Sequence, residues 1–76
     1  MRGQRYEINI TAKDNYYIVE VLKNGWRMVT VEDNNHIKVL DRLYNIYNDR
    51  VNRNVVNDDT RAIEKSIRAF RGYVEC

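Results

Sequence analysis

The side chains of this chain that are able to do chemistry are few and scattered. Its one histidine, His36, stands between a turn-forming stretch and an apolar-periodic one. Nucleophilic catalysis needs a nucleophile, a base within hydrogen-bond reach and a group to orient that base. A small ribonuclease can work with one histidine beside an arginine or lysine, which makes His36 the sole acid–base candidate. A lone histidine at a helix start is ordinarily a solvated or capping residue. Asp58 and Asp59 are adjacent where a helix should begin, and capping accounts for both. Cys76 is the only cysteine, which excludes a disulfide within the sequence, and together with His36 it falls short of a zinc ligand set. Gly3, Gly25 and Gly72 are isolated, so the sequence has no glycine loop able to cradle phosphate. The expectation is a protein that is not an enzyme, with no metal site and no small-molecule cofactor.

Binding chemistry is better represented. Arg61, Lys65 and Arg68 recur at helical spacing, with Glu64 and Arg71 beside them. Arg50 and Arg53 end the preceding periodic stretch and would approach Arg61 if two helices folded back on each other. Such a cluster suits phosphates, although an interrupted charge run equally describes a solvated helix face. The net charge is +2: residues 1–35 hold five basic and five acidic side chains, and residues 36–76 hold eight and six. The whole excess therefore lies in the second half. Tyr17 and Trp26 add rings on which bases could stack. Three strands followed by a helix resemble the sheet-reading DNA-binding modules of plant AP2 factors and integrase arm domains. That resemblance implies basic strand residues, for which only Lys23 and Arg27 qualify.

The elements that must position these groups are legible from periodicity. Residues 5–12 alternate, with Tyr6, Ile8, Ile10 and Ala12 on one side, as in a half-buried strand. Lys13-Asp14-Asn15 has turn chemistry. Two further strands, about 16–22 and 26–32, flank Asn24-Gly25, the strongest signal for a two-residue hairpin loop. Asp33-Asn34-Asn35 offers N-caps for a helix from His36 to about Asn54. In that helix Ile37, Val39, Leu40, Leu43, Tyr44, Ile46, Tyr47 and Val51 fill half the wheel, an arc wide enough to meet both a sheet and a second helix. Asp58 or Asp59 should cap a second helix from about Thr60 to Arg71, with Ile63, Ile67 and Phe70 inward and Gly72 as its stop. Tyr73 to Cys76 would follow as a tail. The expected fold class is α+β: a three-stranded antiparallel meander followed by two helices (βββαα), one compact domain over residues 1–76. Apolar residues make up 43% and charged residues 32%, which suits a globular chain.

The Asn24-Gly25 turn fixes the register, pairing Lys23 with Trp26, Leu22 with Arg27, Val21 with Met28 and Val19 with Thr30. One face would then carry Tyr17, Val19, Val21, Trp26 and Met28, and the other Tyr16, Ile18, Leu22, Val29 and Val31. Both faces are apolar, whereas an antiparallel sheet ordinarily wets one. Two helices straddling the sheet would cover both faces. Otherwise the surplus at Tyr17, Val21, Trp26 and Met28 is a protein-binding patch of the aromatic and methionine type. Edge pairing is open as well, because no proline blunts either edge.

Ten asparagines, six tyrosines and no proline give a composition that resembles the small early proteins of lytic bacteriophages. The function expected is stoichiometric binding: a phage-type inhibitor that blocks a host defence or toxin protein. The alternative is a nucleic-acid-binding regulator using Arg50, Arg53, Arg61, Lys65 and Arg68. A second copy of the chain is a further candidate partner. With no run near 18 apolar residues and no leader-like pattern after Met1, neither a membrane nor secretion is expected, and the cytoplasm, that of the host for a phage protein, is the expected location.

Overall fold

Alternation and turn chemistry carry residues 6–33 into three strands: β1 (Tyr6–Lys13), β2 (Tyr16–Lys23) and β3 (Trp26–Asp33). Two helices follow, α1 (His36–Asn52) and α2 (Asp58–Glu75). The computed structural model describes residues 4–75; Gly3 and Cys76 lie outside them. The sheet is an antiparallel meander in the order β1-β2-β3, so the expected βββαα architecture is the one observed.

Both turns are tight loops with left-handed central residues, Asp14 and Asn15 in the first, Asn24 and Gly25 in the second. Positive φ at both positions matches the right-handed twist of the flanking strands, which is why Asx and glycine stand there. Asn24 also ties the turn to β1. Its N–H donates to the Arg5 carbonyl at 2.7 Å, and its Oδ1 accepts from the Arg5 N–H at 2.9 Å.

The register of β2 and β3 differs from the unbulged expectation. It begins with Lys23 opposite Trp26 and Leu22 opposite Arg27, then slips so that Val21 faces Val29 and Val19 faces Val31. Met28 is the extra residue. A one-residue slip moves every later side chain to the other face. Val29 and Val31 thereby join Val19 and Val21 on the core side, while Thr30 and Glu32 turn outward. Burying a valine is worth about 1.5–3 kcal/mol, whereas a bulge forfeits a ladder hydrogen bond worth about 0.5–1.5 kcal/mol net. Burying Val31 where the unbulged register would place Thr30, with Val29 half-buried beside it, outweighs one bond, so the bulged register wins. The hairpin is therefore not apolar on both faces.

Both helices pack on that single valine-rich face and do not straddle the sheet. Val19 and Val31 from the sheet, Val39 and Leu43 from α1, and Ile63, Ile67 and Phe70 from α2 form one core. Ile10, Met28, Val29, Leu40, Ile46 and Tyr47 pack around it, half-buried. The wide arc of α1 is only partly used: Ile37 stays 65% exposed, and Tyr44 and Val51 are also on the surface.

The helix ends show what local chemistry decides. Asn35 caps α1, its Oδ1 accepting the Ile37 N–H at 2.8 Å. At the other end Asn54 takes a left-handed conformation. The Val55 N–H reaches the Arg50 carbonyl and the Asn54 N–H reaches that of Val51, a Schellman closure. The second helix departs from expectation at both ends. Its cap is Asn57, whose Oδ1 accepts the Thr60 N–H at 3.2 Å, in place of Asp58 or Asp59. Nor does it stop at Gly72. It runs to Glu75, because Val74 packs on the core and Tyr73 stacks on Phe70. That packing outweighs the roughly 1 kcal/mol cost of a helical glycine.

Candidate functional site

The residues singled out for chemistry are dispersed by the fold. His36 is the first residue of α1, and its ring meets Tyr17 edge-on with centroids 6.0 Å apart. Tyr17 meets Phe70 the same way, at 5.8 Å. The histidine thus belongs to an aromatic row at one end of the core. Among the described residues, no group of three His, Cys, Asp or Glu side chains is placed to hold a metal ion.

Asp59 is the most heavily engaged polar side chain. It points away from its own helix toward the sheet and accepts a hydrogen bond from the Tyr6 hydroxyl. Lys23 Nζ lies 3.1 Å from Oδ1 and 3.3 Å from Oδ2, and Arg50 Nη2 lies 3.8 Å from Oδ2. The Tyr6 bond, with help from Lys23 and Arg50 and against the cost of burial, holds the Asp59 carboxyl below its usual range. The same bond pushes the Tyr6 hydroxyl up to about 12. Beside this cluster, buried Thr60 donates from Oγ1 to the Val55 carbonyl at 2.5 Å and accepts from Arg50 Nε at 3.2 Å. One carboxylate therefore joins β1, β2, α1 and α2. Sequence reasoning missed this latch, because Asp59 next to Asp58 at a helix start reads as a cap.

The protein-binding residues expected from the unbulged hairpin do not share an exposed patch. Val21 is 0% exposed in the core, and Met28 packs half-buried against it. Tyr17 is half-buried between His36 and Phe70. Only Trp26, at the hairpin end, is open to solvent, at 80%. The bulge and the one-sided helices are the physical reason: together they place a packed layer over the face that carries Tyr17 and Val21.

The basic residues of the nucleic-acid alternative are not one free cluster either. Arg50 is turned to Thr60 and Asp59. Arg53 pairs with Asp49 at 3.4 Å, Arg61 with Asp58 at 2.8 Å and Arg68 with Glu64 at 3.1 Å. Among the described residues Lys65 alone of the five has no carboxylate partner.

No family model matches this chain. No curated protein and no solved structure matches it either. Its surfaces must therefore be read from their own chemistry.

Two of those surfaces remain uncovered. The outer sheet face carries Tyr16, Ile18 and Leu22 along the central strand, set among Glu7, Lys13, Glu20, Arg27, Thr30 and Glu32 by the register. Two pairs of its polar groups bond across strands. The Tyr16 hydroxyl donates to Glu32 at 2.6 Å, which raises the Tyr16 pKa, and Arg27 lies 3.3 Å from Glu20. The second surface is a groove of about 330 Å³ between β1 and α2, floored by Tyr6, Ile8 and Ala62 and rimmed by Gln4, Asp58, Arg61 and Lys65. Tyr16, Ile18 and Leu22 were legible as an apolar face in the sequence. The bulge takes Val29 and Val31, expected beside them, to the opposite face.

Proposed function

We propose that this chain acts by stoichiometric binding to another protein, without covalent chemistry of its own, through the uncovered outer face of its sheet. The observation that carries this reading is that both helices pack on one face. The Tyr16, Ile18 and Leu22 row on the central strand thus has no helix over it, with Tyr16 exposed and Ile18 and Leu22 half-buried among their strand neighbours. Apolar side chains ringed by charges of both signs make the core-and-rim pattern of a protein interface. Glu7, Glu20 and Glu32 outnumber Lys13 and Arg27 there, a balance that disfavours a phosphate backbone. The carboxylates beside Arg53, Arg61 and Arg68 weaken the competing nucleic-acid reading on the helical side.

The finer reading is a phage-type inhibitor that occludes a working surface of a host defence or toxin protein in the bacterial cytoplasm. It draws its support from the asparagine-rich, proline-free composition. Among the described residues no helix is long and apolar enough to cross a membrane.

The test is capture from bacterial lysate on the immobilised chain, compared with Ile18→Lys and Leu22→Gln, each checked for an intact fold by NMR. A protein retained in fixed stoichiometry by the native chain and lost by both variants is the expected result. Retention of nucleic acid in its place, falling steeply with salt and abolished by Lys65→Glu with Arg68→Glu, overturns the reading.

A further inference from the structure

The two edges of the sheet are not equivalent. The β3 edge is blunted twice: the Met28 bulge interrupts its start, and Arg42 Nη1 donates to the Glu32 carbonyl at 3.2 Å. Both devices are ways of denying an edge to another strand. By contrast, β1 runs eight residues in unbroken register with β2, contains no proline, and has neither device.

The orientation of the β1 backbone follows from its turn. A two-residue loop at Asp14-Asn15 makes Lys13 and Tyr16 the closing hydrogen-bonded pair, and the antiparallel ladder then alternates. Glu7, Asn9, Thr11 and Lys13 bond inward to β2. The bond from the Asn24 N–H to the Arg5 carbonyl keeps the same phase. Tyr6, Ile8, Ile10 and Ala12 therefore turn their N–H and C=O groups to the open edge. Their side chains lie on the helix side, where Tyr6 and Ile8 floor the groove against Ala62. On its rim Arg61 is matched to Asp58, and Lys65 has no carboxylate partner among the described residues.

From this juxtaposition we infer that the open edge of β1 and the adjoining groove receive an extended, acidic segment of a partner protein. The segment adds a fourth strand along Tyr6–Ala12 and sets an apolar side chain against Ile8 and Ala62 and a carboxylate against Lys65. Strand addition supplies main-chain hydrogen bonds, and alternate side chains entering the groove supply selectivity. A second copy of the chain is the poorer occupant. The groove-side residues of another β1 are Tyr6, Ile8, Ile10 and Ala12, none of which offers Lys65 a carboxylate. The inference deepens the reading that the chain binds protein, and it concerns a surface distinct from the outer face.

The test uses isotope-labelled chain titrated with short synthetic peptides that alternate valine and threonine, with one glutamate or one lysine on the valine side. The expected result is shift changes at the amides of Ile8, Ile10 and Ala12 and around Lys65. The glutamate peptide should bind about tenfold tighter than the lysine peptide, a charge-assisted contact being of that order. Lys65→Glu, at an exposed site, should reverse that preference, and Ile18→Lys on the opposite face should leave it unchanged. No shifts at millimolar peptide, shifts confined to β3 or the outer face, indifference to charge, or a dimer in which β1 is already paired each overturns the inference. The two readings fail separately. Loss of lysate capture in Ile18→Lys tests the outer face, while the peptide preference in Lys65→Glu tests the edge.

Discussion

The Tyr6 hydroxyl donates to the carboxylate of Asp59, joining the first strand to the second helix across 53 positions of sequence. The bond is strongest while tyrosine is neutral and aspartate charged, so both ends of the pH scale report on it. Tyr6 ionises at about 12 in the fold against 10.0 for an ordinary tyrosine. A folded value raised above the unfolded one contributes stability that is complete below pH 10 and lost as pH rises through 12. Tyr6→Phe is expected to lower the melting temperature at neutral pH and to remove this part of the alkaline loss. Thermal melts of both proteins between pH 8 and pH 12 check it.

Asp59 behaves in the opposite sense. Its folded value is depressed, first by the Tyr6 bond and then by Lys23, so its contribution is present above the ordinary carboxylate value and lost as pH falls through the depressed one. Asp59→Asn should flatten the acid limb of the stability profile below about pH 4.

The bulge at Met28 makes adjacent positions of β3 respond in opposite ways. Val31 is 4% exposed, so Val31→Thr buries an unpartnered hydroxyl and should cost about 1–3 kcal/mol. Thr30 is exposed on the outer face, so Thr30→Val should change stability by less than about 0.5 kcal/mol. Denaturant midpoints for the two variants distinguish this register from the unbulged one, in which Val31→Thr would be nearly neutral and Thr30→Val would stabilise.

Gly72 lies inside α2, and a Cβ built there meets nothing within 4 Å. Gly72→Ala should therefore stabilise the protein by roughly 0.5–1 kcal/mol by restricting the unfolded chain. Were α2 to end at Arg71 with Gly72 in a left-handed stop, the same substitution would destabilise, and a melting curve separates the two.

The cap of the same helix gives a paired test. Asn57→Ala removes the acceptor of the Thr60 N–H and should cost about 1 kcal/mol, more than Asp58→Ala, which deletes only an exposed pair worth about 0.5 kcal/mol or less.

By itself the sequence determined whatever depends on residues a few positions apart. Asx and glycine requiring positive φ set both turns, period-two and helical patterning set the five elements and their order, and Asn35 set the start of α1. Tertiary structure decided the rest, because the deciding free energies come from groups distant in the chain. The register beyond Met28 followed from burying Val29 and Val31 against two helices that come later in sequence. Those helices chose the valine face, which took Tyr17, Val21 and Met28 out of reach and left Tyr16, Ile18 and Leu22 without helical cover. Asp59 reads as a cap locally and became a four-element latch only when Tyr6, Lys23 and Arg50 arrived beside it. Phe70 and the core likewise carried α2 through Gly72. The unguarded edge of β1 is of the same kind: its bareness is evident only once β3 is seen with its bulge and with Arg42 on its carbonyl.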